Sequence, residues 1–550
     1  MKTEKMVMLF VILVAGINIK GQVPNWEWAK SANGSQYDQA SAVTADMNEN
    51  IYVAGYFTSD SIRFGEVLLH NNGIGFTDIF IAKYDSTGNL IWAKGIGGSG
   101  DDKAFSIDTD DAGNVYLAAN FYSPVIEVGA YEFINAGNVG DILLVKFDTK
   151  GNILWATREG GPGLEIPYAI CVDAIGNSIV TGRFSSLSID FGEFTLKQAG
   201  SMDVFIVKYN PEGNILWAKG AGGTSNDEGY AIDTDLEGNI YVGGYFNQNA
   251  KFESVSLSTS GQADAFLVKY DALGNLLWAK KAGGNNADRI TGLTVDESGN
   301  CYVSGYFESD SVVFGATALK NFYSQGIDNS FIAKYNSEGN PVWAQAINGK
   351  SKLNGIAMNS QGIYACGVFS DNSLNFGSSV LDLRGHGDFF VLNCDLEGNP
   401  EWALYQSSGG ESGEFATSIA SSNHGKIIVA GYFDSKPITF GSTELNTTGN
   451  RFDMFVALFG SLSTDINQTL METNLRVYPN PVREMLNILT NESINSIELY
   501  TQKGEKVLTR IFTPNEFQAQ TDISNLPNGF YLLKLNSKNR HYSRKIIIQH

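Results

Sequence analysis

The chain has 550 residues, a net charge of −21, and 60 glycines against only 12 prolines. This length is enough for more than one domain, and the composition suits many short strands joined by tight turns. Residues 475–550 hold 10 Lys and Arg against 6 Asp and Glu, so the acidic excess falls on residues 23–460, whose net charge is −25. Because such a body repels phosphate backbones, we expect cations or basic surfaces rather than nucleic acid as partners.

Residues 1–22 have the pattern of a secretory signal peptide. Lys2 and Lys5 precede the apolar stretch MVMLFVILVAGI, which is too short to span a membrane comfortably. We expect cleavage just before Gln22 or Val23, and no lipid anchor, because no cysteine lies at the boundary. No other stretch is long and apolar enough to cross a bilayer, so we predict no transmembrane segment.

A repeat dominates residues 23–460. The dipeptide Trp-Ala recurs at intervals of 59 to 65 residues, at Trp28, Trp92, Trp155, Trp217, Trp278, Trp343 and Trp402. Each repeat carries two strand–turn–strand signals with D-x-x-G-N turns, such as DDAGNVYLAANF and LLVKFDTKGNILWA. We therefore predict four strands, A to D, in each repeat, with a small Phe-Gly hairpin inserted between strands B and C.

Four-stranded units repeated radially form a β-propeller. The last unit has strands A, B and C but no Trp-Ala strand, whereas the first Trp-Ala strand, NWEWAKSA, has no partners before it. We predict that this N-terminal strand completes the last unit, which gives an all-β, seven-bladed β-propeller without a ragged edge. The repeat resembles the seven-bladed β-propeller (SBBP) repeat family over residues 25–460. That resemblance implies a fold and leaves the function open.

Gly95, Gly97 and Gly100 match a dinucleotide fingerprint, but a strand follows them where such a site needs a helix. Only the Gly97-Gly98 pair recurs in the other copies, mostly as Gly-Gly and twice as Asn-Gly. We interpret the pair as a turn between blades that needs a positive φ.

Two sets of carboxylates recur, one at the start of strand A in every repeat except the sixth and one at the start of strand C in every repeat except the fifth, where Asn329 stands instead. The first set is Asp38, Asp102, Glu165, Asp227, Asp288 and Glu414, and the second set is Asp78, Asp141, Asp203, Asp264, Asp388 and Asp453. Both starts lie on the same face of an up-and-down blade, so we predict two acidic rings there. They are candidates for a cation site or a surface for a basic partner. The alternative, which the repetition favours, is that each carboxylate caps a turn.

Three further features have alternative interpretations. Asp108, Asp110 and Asp111 resemble part of a calcium loop but lack its downstream Glu, so we expect no cofactor, with calcium as the alternative. The repeated tryptophans are expected to pack between blades, with a sugar-stacking platform as the alternative. Cys366 and Cys394 are expected to be neighbours on strands B and C of the sixth blade, and a disulfide there is the less favoured alternative.

Residues 461–474 are polar and are interpreted as a linker, and residues 475–550 are predicted to form a small β-sandwich. The tail resembles the type A C-terminal sorting domain of the type IX secretion system. The matching residues are Tyr478, Pro479, Asn480, Pro481, Gly529, Tyr531 and Lys545. The resemblance implies Sec export, interaction with the type IX machinery, and delivery to the cell surface or the medium. The ending Gln549-His550 departs from family copies, which often end in Lys.

No nucleophile elbow and no H-E-x-x-H motif occurs, and the 5 histidines lie outside the repeat framework. We therefore expect a binding or adhesion module for an extracellular glycan or protein rather than an enzyme. The alternative is a polysaccharide-active hydrolase or lyase with carboxylates at the channel mouth. Seven equivalent blades would favour the binding module, and unique polar residues in one blade would favour the enzyme.

Overall fold

A computed structural model of the chain describes the residues 23–137, 139–321, 323, 326–383, 387–406, 413–447, 449, 451–460, 476–478, 482–489, 493–501, 506–512, 518–537 and 541–548. All regular structure in these residues is β-strand. The chain divides into two compact units, Met1–Leu462 and Ser463–His550. The predicted signal peptide and linker lie outside the described residues. Within the same residues, no helix is long and apolar enough to cross a membrane.

The strands within Met1–Leu462 follow the predicted repeat. The first nineteen are β1 (Trp26–Ala32), β2 (Asp38–Ala45), β3 (Ile51–Phe57), β4 (Ser61–Phe64), β5 (Val67–His70), β6 (Asp78–Tyr84), β7 (Leu90–Ile96), β8 (Asp102–Thr109), β9 (Val115–Phe121), β10 (Val125–Val128), β11 (Tyr131–Ile134), β12 (Asp141–Phe147), β13 (Ile153–Glu159), β14 (Glu165–Val172), β15 (Ser178–Phe184), β16 (Ser188–Phe191), β17 (Phe194–Lys197), β18 (Asp203–Tyr209) and β19 (Ile215–Gly223). The next twenty are β20 (Asp227–Thr234), β21 (Ile240–Phe252), β22 (Val255–Tyr270), β23 (Leu276–Ala282), β24 (Asp288–Val295), β25 (Cys301–Phe307), β26 (Ser311–Phe314), β27 (Thr317–Lys320), β28 (Asn329–Tyr335), β29 (Pro341–Asn359), β30 (Gly362–Phe369), β31 (Ser373–Phe376), β32 (Ser379–Asp382), β33 (Asp388–Cys394), β34 (Pro400–Gln406), β35 (Glu414–Ser421), β36 (Ile427–Phe433), β37 (Ile438–Phe440), β38 (Thr443–Leu445) and β39 (Asp453–Phe459).

Each repeat unit is a four-stranded antiparallel set in the order A-B-C-D. The sets are β2-β3-β6-β7, β8-β9-β12-β13, β14-β15-β18-β19, β20-β21-β22-β23, β24-β25-β28-β29, β29-β30-β33-β34 and β35-β36-β39-β1, called units 1 to 7 below. The long strand β29 supplies strand D of unit 5 and strand A of unit 6. In unit 4 the hairpin between strands B and C continues directly from β21 and β22. In the other units it is a separate pair of short strands.

The N-terminal strand completes unit 7, as predicted. β1 pairs antiparallel with β39, with Ala32 opposite Met454. The Trp26 ring meets the rings of Phe440 and Phe459 edge-on, each at 4.9 Å. Lys426 Nζ lies 2.7 Å from a Glu27 carboxylate oxygen, so an ion pair supplements the strand pairing at this seam.

The A strands contact one another in a closed series. The A strand of each unit touches that of the next, and β35 of unit 7 touches β2 of unit 1. The apolar core lies between neighbouring sheets: one cluster joins Ile81 of unit 1 to Leu117 of unit 2, and another joins Val53 of unit 1 to Val456 of unit 7. The residues that start the A strands therefore all lie at the same end of the sheets.

The D-x-x-G-N turns form as predicted. In the turn between β6 and β7, Asp85 accepts hydrogen bonds from the N–H groups of Thr87 and Asn89, both at 2.9 Å. Gly88 has a φ of 82°, in the left-handed region that glycine adopts without steric cost. The turns therefore follow from their residue types alone.

The prediction of a positive φ at Gly97 and Gly98 is wrong, because neither residue is left-handed. Glycine is required there by close packing. A Cβ on Gly97 would lie 2.2 Å from the Asp78 carboxylate, and one on Gly98 would lie 2.6 Å from Ser123 Oγ. A Cβ on Gly100 would lie 2.8 Å from the Ser123 nitrogen. Gly97, Gly98 and Gly100 thus make room for neighbouring strands and turns, whereas a Cβ on Gly95 would make only ordinary contacts.

The prediction that Cys366 and Cys394 are neighbours is also wrong. Cys366 lies opposite Val391, and Cys394 lies opposite Ile363. The two positions are therefore three residues apart along the ladder, and successive side chains of a strand point to opposite faces. The two thiols are free and buried in different core clusters, one on each face of the sheet.

The second compact part of the chain, Ser463–His550, contains two sheets that share one apolar core. Its strands are β40 (Arg476–Tyr478), β41 (Met485–Leu489), β42 (Ile494–Thr501), β43 (Lys506–Ile511), β44 (Gln518–Asp522), β45 (Gly529–Ser537) and β46 (His541–Ile548). They form the sheets β40-β41-β44 and β43-β42-β45-β46. The core contains Leu486 and Ile488 from the first sheet, and Ile497, Leu533 and Ile546 from the second.

Candidate functional site

The repeated carboxylates are buried. Every member of both sets has 2 % or less of its surface exposed. Both sets lie at the same end of the sheets, since Asp38 pairs with Phe57, and Phe57 pairs with Asp78. Their shared placement matches the expectation of two rings, but their burial means that the carboxylates are not presented to solvent or to a partner.

Carboxylates of the first set hold the chain where one unit passes to the next. Asp102 accepts hydrogen bonds from the Gly98 N–H at 2.8 Å, the Ser123 N–H at 3.2 Å and the Ser123 hydroxyl at 2.7 Å. Gly98 belongs to the connection from unit 1, and Ser123 follows strand B of unit 2. The same bonds to a glycine N–H and a serine recur at Glu165 and Asp288. This geometry is that of caps, which satisfy buried backbone donors.

Carboxylates of the second set hold the loop between strands B and C. Asp78 accepts a hydrogen bond from the Asn72 N–H at 2.8 Å, and Asp264 accepts one from the Ser260 N–H at 2.9 Å. Asp141 also forms an ion pair with Arg158 at 2.8 Å, and Asp264 forms one with Lys281 at 2.9 Å. These contacts lie within single units, so they organise each unit locally.

Burial raises the pKa of most of these carboxyls. Desolvation raises the pKa of Asp38, Asp78, Asp227 and Asp288 to about 7, against the hydrogen bonds that favour the charged form. The pKa of Asp102 is raised for the same reason. At neutral pH several of these groups can therefore exist in either protonation state.

The three candidate calcium ligands serve different neighbours. Asp110 is used by its own turn, where the Asn114 N–H and side-chain amide donate to it, and by Lys146 at 3.4 Å. Asp108 accepts a hydrogen bond from the Val172 N–H of unit 3 at 2.8 Å, and Asp111 is exposed. Among the described residues no group of three or more His, Cys, Asp or Glu side chains could hold a metal ion.

The repeated tryptophans contact the next unit. The Trp92 indole N–H of unit 1 donates to the Thr149 carbonyl of unit 2 at 3.3 Å, in the turn between its strands C and D. Gly151 of that turn lies against the indole, where a Cβ would come within 3.1 Å of the ring. The same bond recurs for Trp28, Trp155, Trp217, Trp278 and Trp343. These rings are therefore packed against the next unit, and little of their surface is left for a sugar to stack on.

A different group of side chains lies on strands A and B of units 3 to 5, and several of its members stand at positions that vary between the units. We call it the tyrosine–arginine patch, and its members are Tyr168, Arg183, Glu228, Tyr230, Tyr245, Arg289 and Tyr306. They lie near the start of the A strands, at the end that carries the buried carboxylates. Arg183, Tyr168, Tyr230, Arg289 and Tyr306 are half-buried, so they keep an accessible surface.

Glu228 is the centre of one half of the patch. Its Oε1 accepts a hydrogen bond from Arg183 Nη1 at 2.6 Å and one from the Tyr245 hydroxyl at 2.8 Å. The rings of Tyr168 and Tyr230 lie 4.6 Å apart, and those of Tyr230 and Tyr245 lie 5.8 Å apart. Burial, followed by the negative charge of Glu228, raises the pKa of these tyrosines, which stay protonated donors.

Arg289 forms the other half. Its guanidinium lies over the Tyr245 ring at 4.7 Å and over the Tyr306 ring at 5.8 Å, and its Nη1 lies 3.1 Å from the Tyr306 hydroxyl. Lys352 of unit 6 approaches the same Tyr306 ring at 4.7 Å. Aromatic faces and cations therefore alternate across three neighbouring units.

Residues that repeat do not reveal this patch, because several of its members stand at positions that vary between the units. The sequence feature that indicates the patch is a position of strand A whose residue varies. The residue after the start of strand A is of six different types in the seven units: Gln39, Lys103, Ile166, Glu228, Arg289, Lys352 and Phe415. Because the repeated framework does not depend on this position, the position is free to serve a ligand.

The residues of the sorting signal are only partly described. Tyr478 ends β40, whereas Pro479, Asn480 and Pro481 lie outside the described residues. Gly529 begins β45, and the Tyr531 hydroxyl donates to the Pro527 carbonyl at 2.9 Å. Lys545 lies opposite Leu532 in the pairing of β45 with β46. The LPNGFY segment thus forms a closed turn into a central strand.

Comparison with known proteins identifies the tail. A family profile described as a secretion system C-terminal sorting domain matches residues 476–549. The chain is therefore one that type IX secretion delivers to the cell surface or the extracellular space.

The chain is similar to two curated proteins. It is 24 % identical over 444 residues to an uncharacterized WD repeat-containing protein, L264, of Acanthamoeba polyphaga mimivirus, with 66 % of this chain and 32 % of that protein covered. It is 23 % identical over 393 residues to the regulatory protein FlaEY of Caulobacter vibrioides, with 65 % and 36 % covered. The chain thus spans about a third of the length of these curated relatives. The plexin A4 extracellular region is similar at a TM-score of 0.38 and 8 % identity, covering 96 % of this chain and 53 % of that one.

Proposed function

We propose that residues 23–460 form a seven-bladed β-propeller and that residues 475–550 form a small β-sandwich. The closed series of contacts between A strands, in which unit 7 touches unit 1, supports the propeller. The shared core of the two C-terminal sheets supports the sandwich.

The seam between β1 and β39 offers a direct test of the closed propeller, because Glu27 and Lys426 lie close enough for a zero-length carbodiimide to join them. Mass spectrometry should find this cross-link in the secreted protein, and its absence would contradict the closure.

We further propose that the exported propeller is a binding module, and that the tyrosine–arginine patch holds its extracellular ligand. The observation that carries this proposal is the clustering of half-buried aromatic and charged residues, several of them at positions that vary between the units. Tyrosines provide flat faces and hydroxyl donors at a low cost in side-chain entropy, and arginines provide directional donors. Carbohydrates present both apolar C–H faces and hydroxyls, so a glycan suits such a surface.

Glycan-array binding of the secreted chain tests the proposal. Tyr306→Ala removes an aromatic face of the patch and should abolish most of the signal. Tyr131→Ala is the matched control, because Tyr131 is exposed on the hairpin of unit 2, outside the patch. Equal loss in both variants, or retention in both, would contradict a ligand site at the patch.

A polysaccharide-active enzyme is the second candidate, and one observation favours it. Asp108 and Asp233 are half-buried near the other end of two A strands, where burial raises their pKa to about 6 and about 7. A carboxyl that stays protonated near neutral pH can act as a general acid. Release of new reducing ends or unsaturated sugars from array-positive polysaccharides, and its loss in Asp233→Asn, would support the enzyme over the binding module.

A further inference from the structure

Arg289 differs from other half-buried arginines of the repeat region. Arg158 pairs with Asp141 at 2.8 Å, and Arg183 pairs with Glu228 at 2.6 Å. Within the described part of the chain, no carboxylate lies at ion-pair distance from Arg289, and its buried Nε, like that of Arg183, has no hydrogen-bond partner. A partly desolvated cation without a counter-ion is costly, so the position is favourable for an incoming anion.

The neighbours of Arg289 cannot neutralise it. Glu228 forms its ion pair with Arg183, at 2.6 Å, rather than with Arg289, and only 3 % of its surface is exposed. Lys352, which shares the Tyr306 ring with Arg289, adds a second cation, although Asp328 lies 3.3 Å from it. The Arg289 half of the patch, together with the adjacent Lys352 of unit 6, therefore carries positive charge on a body that is otherwise strongly acidic.

The aromatic faces favour a sugar as the carrier of that anion. Tyr168, Tyr230 and Tyr306 are half-buried, and the rings of Tyr168, Tyr230 and Tyr245 follow one another at 4.6 and 5.8 Å. Pyranose rings stack their C–H faces on aromatic rings, and a guanidinium binds a carboxylate through two parallel hydrogen bonds. A hexuronate combines these two recognition elements in one residue.

We propose that the tyrosine–arginine patch selects acidic saccharides, with a uronate carboxylate bound by Arg289 and the sugar rings stacked along the tyrosines. This inference rests on the proposed function of the patch as a glycan site. The acidic body repels those parts of a long polyanion that extend beyond the patch. At physiological ionic strength, salt screens this repulsion over a distance of about 8 Å. Short acidic oligosaccharides are therefore the preferred probes.

Titration calorimetry of the secreted chain with trigalacturonate and with its methyl ester tests the charge requirement. The acid should bind at least about tenfold more tightly than the ester, which keeps the sugar rings but not the charge. Arg289→Gln should weaken binding of the acid about tenfold and leave binding of the ester unchanged. Arg63→Gln is the matched control, since Arg63 is exposed in the hairpin of unit 1.

The outcomes separate the two proposals. Equal binding of acid and ester, lost in Tyr306→Ala, would overturn the acidic class and leave the glycan site standing. Absence of binding for both sugars, together with no array signal, would overturn both proposals, as would binding confined to acidic peptides. A purely structural Arg289 would lower the free energy of unfolding when replaced by Gln. Our proposal expects that energy to be unchanged or higher, because an unneutralised cation is removed.

Discussion

The carboxylate caps should be essential for stability, and Asp102 gives the sharpest test. Asp102→Ala leaves the Gly98 and Ser123 N–H groups without an acceptor in a buried site. The Tyr122 N–H still donates a hydrogen bond to the Asp101 carbonyl at 2.9 Å. An unsatisfied buried donor costs about 1–3 kcal/mol, so two stranded donors cost roughly 2–6 kcal/mol. Removing a desolvated carboxyl returns part of this cost. We therefore expect a net loss of about 3 kcal/mol in the free energy of unfolding.

Urea unfolding of the secreted chain, followed by tryptophan fluorescence at pH 7, measures this loss. Asp111→Ala is the control, because Asp111 is exposed in a turn of the same unit, and its replacement should cost less than about 0.5 kcal/mol. A loss below about 1 kcal/mol in Asp102→Ala would refute the reasoning that the buried carboxylates act as caps.

Three further predictions concern packing, pH and redox state. Gly274→Ala should destabilise the chain by about 2 kcal/mol or more, because φ is 83° and the new Cβ would lie 2.9 Å from the Trp217 ring; a normal urea midpoint would contradict this. Burial raises the pKa of Asp288 to about 7 from 3.8, so between these pH values the folded chain keeps a proton that the unfolded chain has lost. The free energy of unfolding should thus fall as pH rises from 4 to 7, and Asp288→Asn should flatten the slope. Reductant should leave the melting temperature unchanged, since Cys366 and Cys394 are free thiols; a lower value would indicate a disulfide.

Strand positions followed from the sequence because they depend on residue types that repeat. The D-x-x-G-N turns and the alternation of apolar residues predicted four strands in each repeat, and unit 1 forms them as β2, β3, β6 and β7. The pairing of β1 with β39 followed from counting strands, since an unpaired edge would otherwise remain at each end of the repeat.

Features that depend on three-dimensional packing could not be predicted in this way. The Gly97-Gly98 pair indicated a left-handed turn, whereas the structure shows close contacts with Asp78 and Ser123. The carboxylate rings indicated an acidic face, but the turns around each ring bury it. Pairing register decided the cysteines, because a shift of three residues along a ladder reverses the face of the sheet.

The seam between β1 and β39 makes folding of the repeat region a long-range event. Ala32 and Met454 are partners in one sheet although most of the repeat region lies between them in sequence. During synthesis β1 must wait for the whole repeat to emerge before it can pair, and its apolar face stays unsatisfied until then. Closure is therefore the last local step and the one that needs all the others. A chain truncated anywhere within the repeat would keep an open strand edge, ready to pair with another copy.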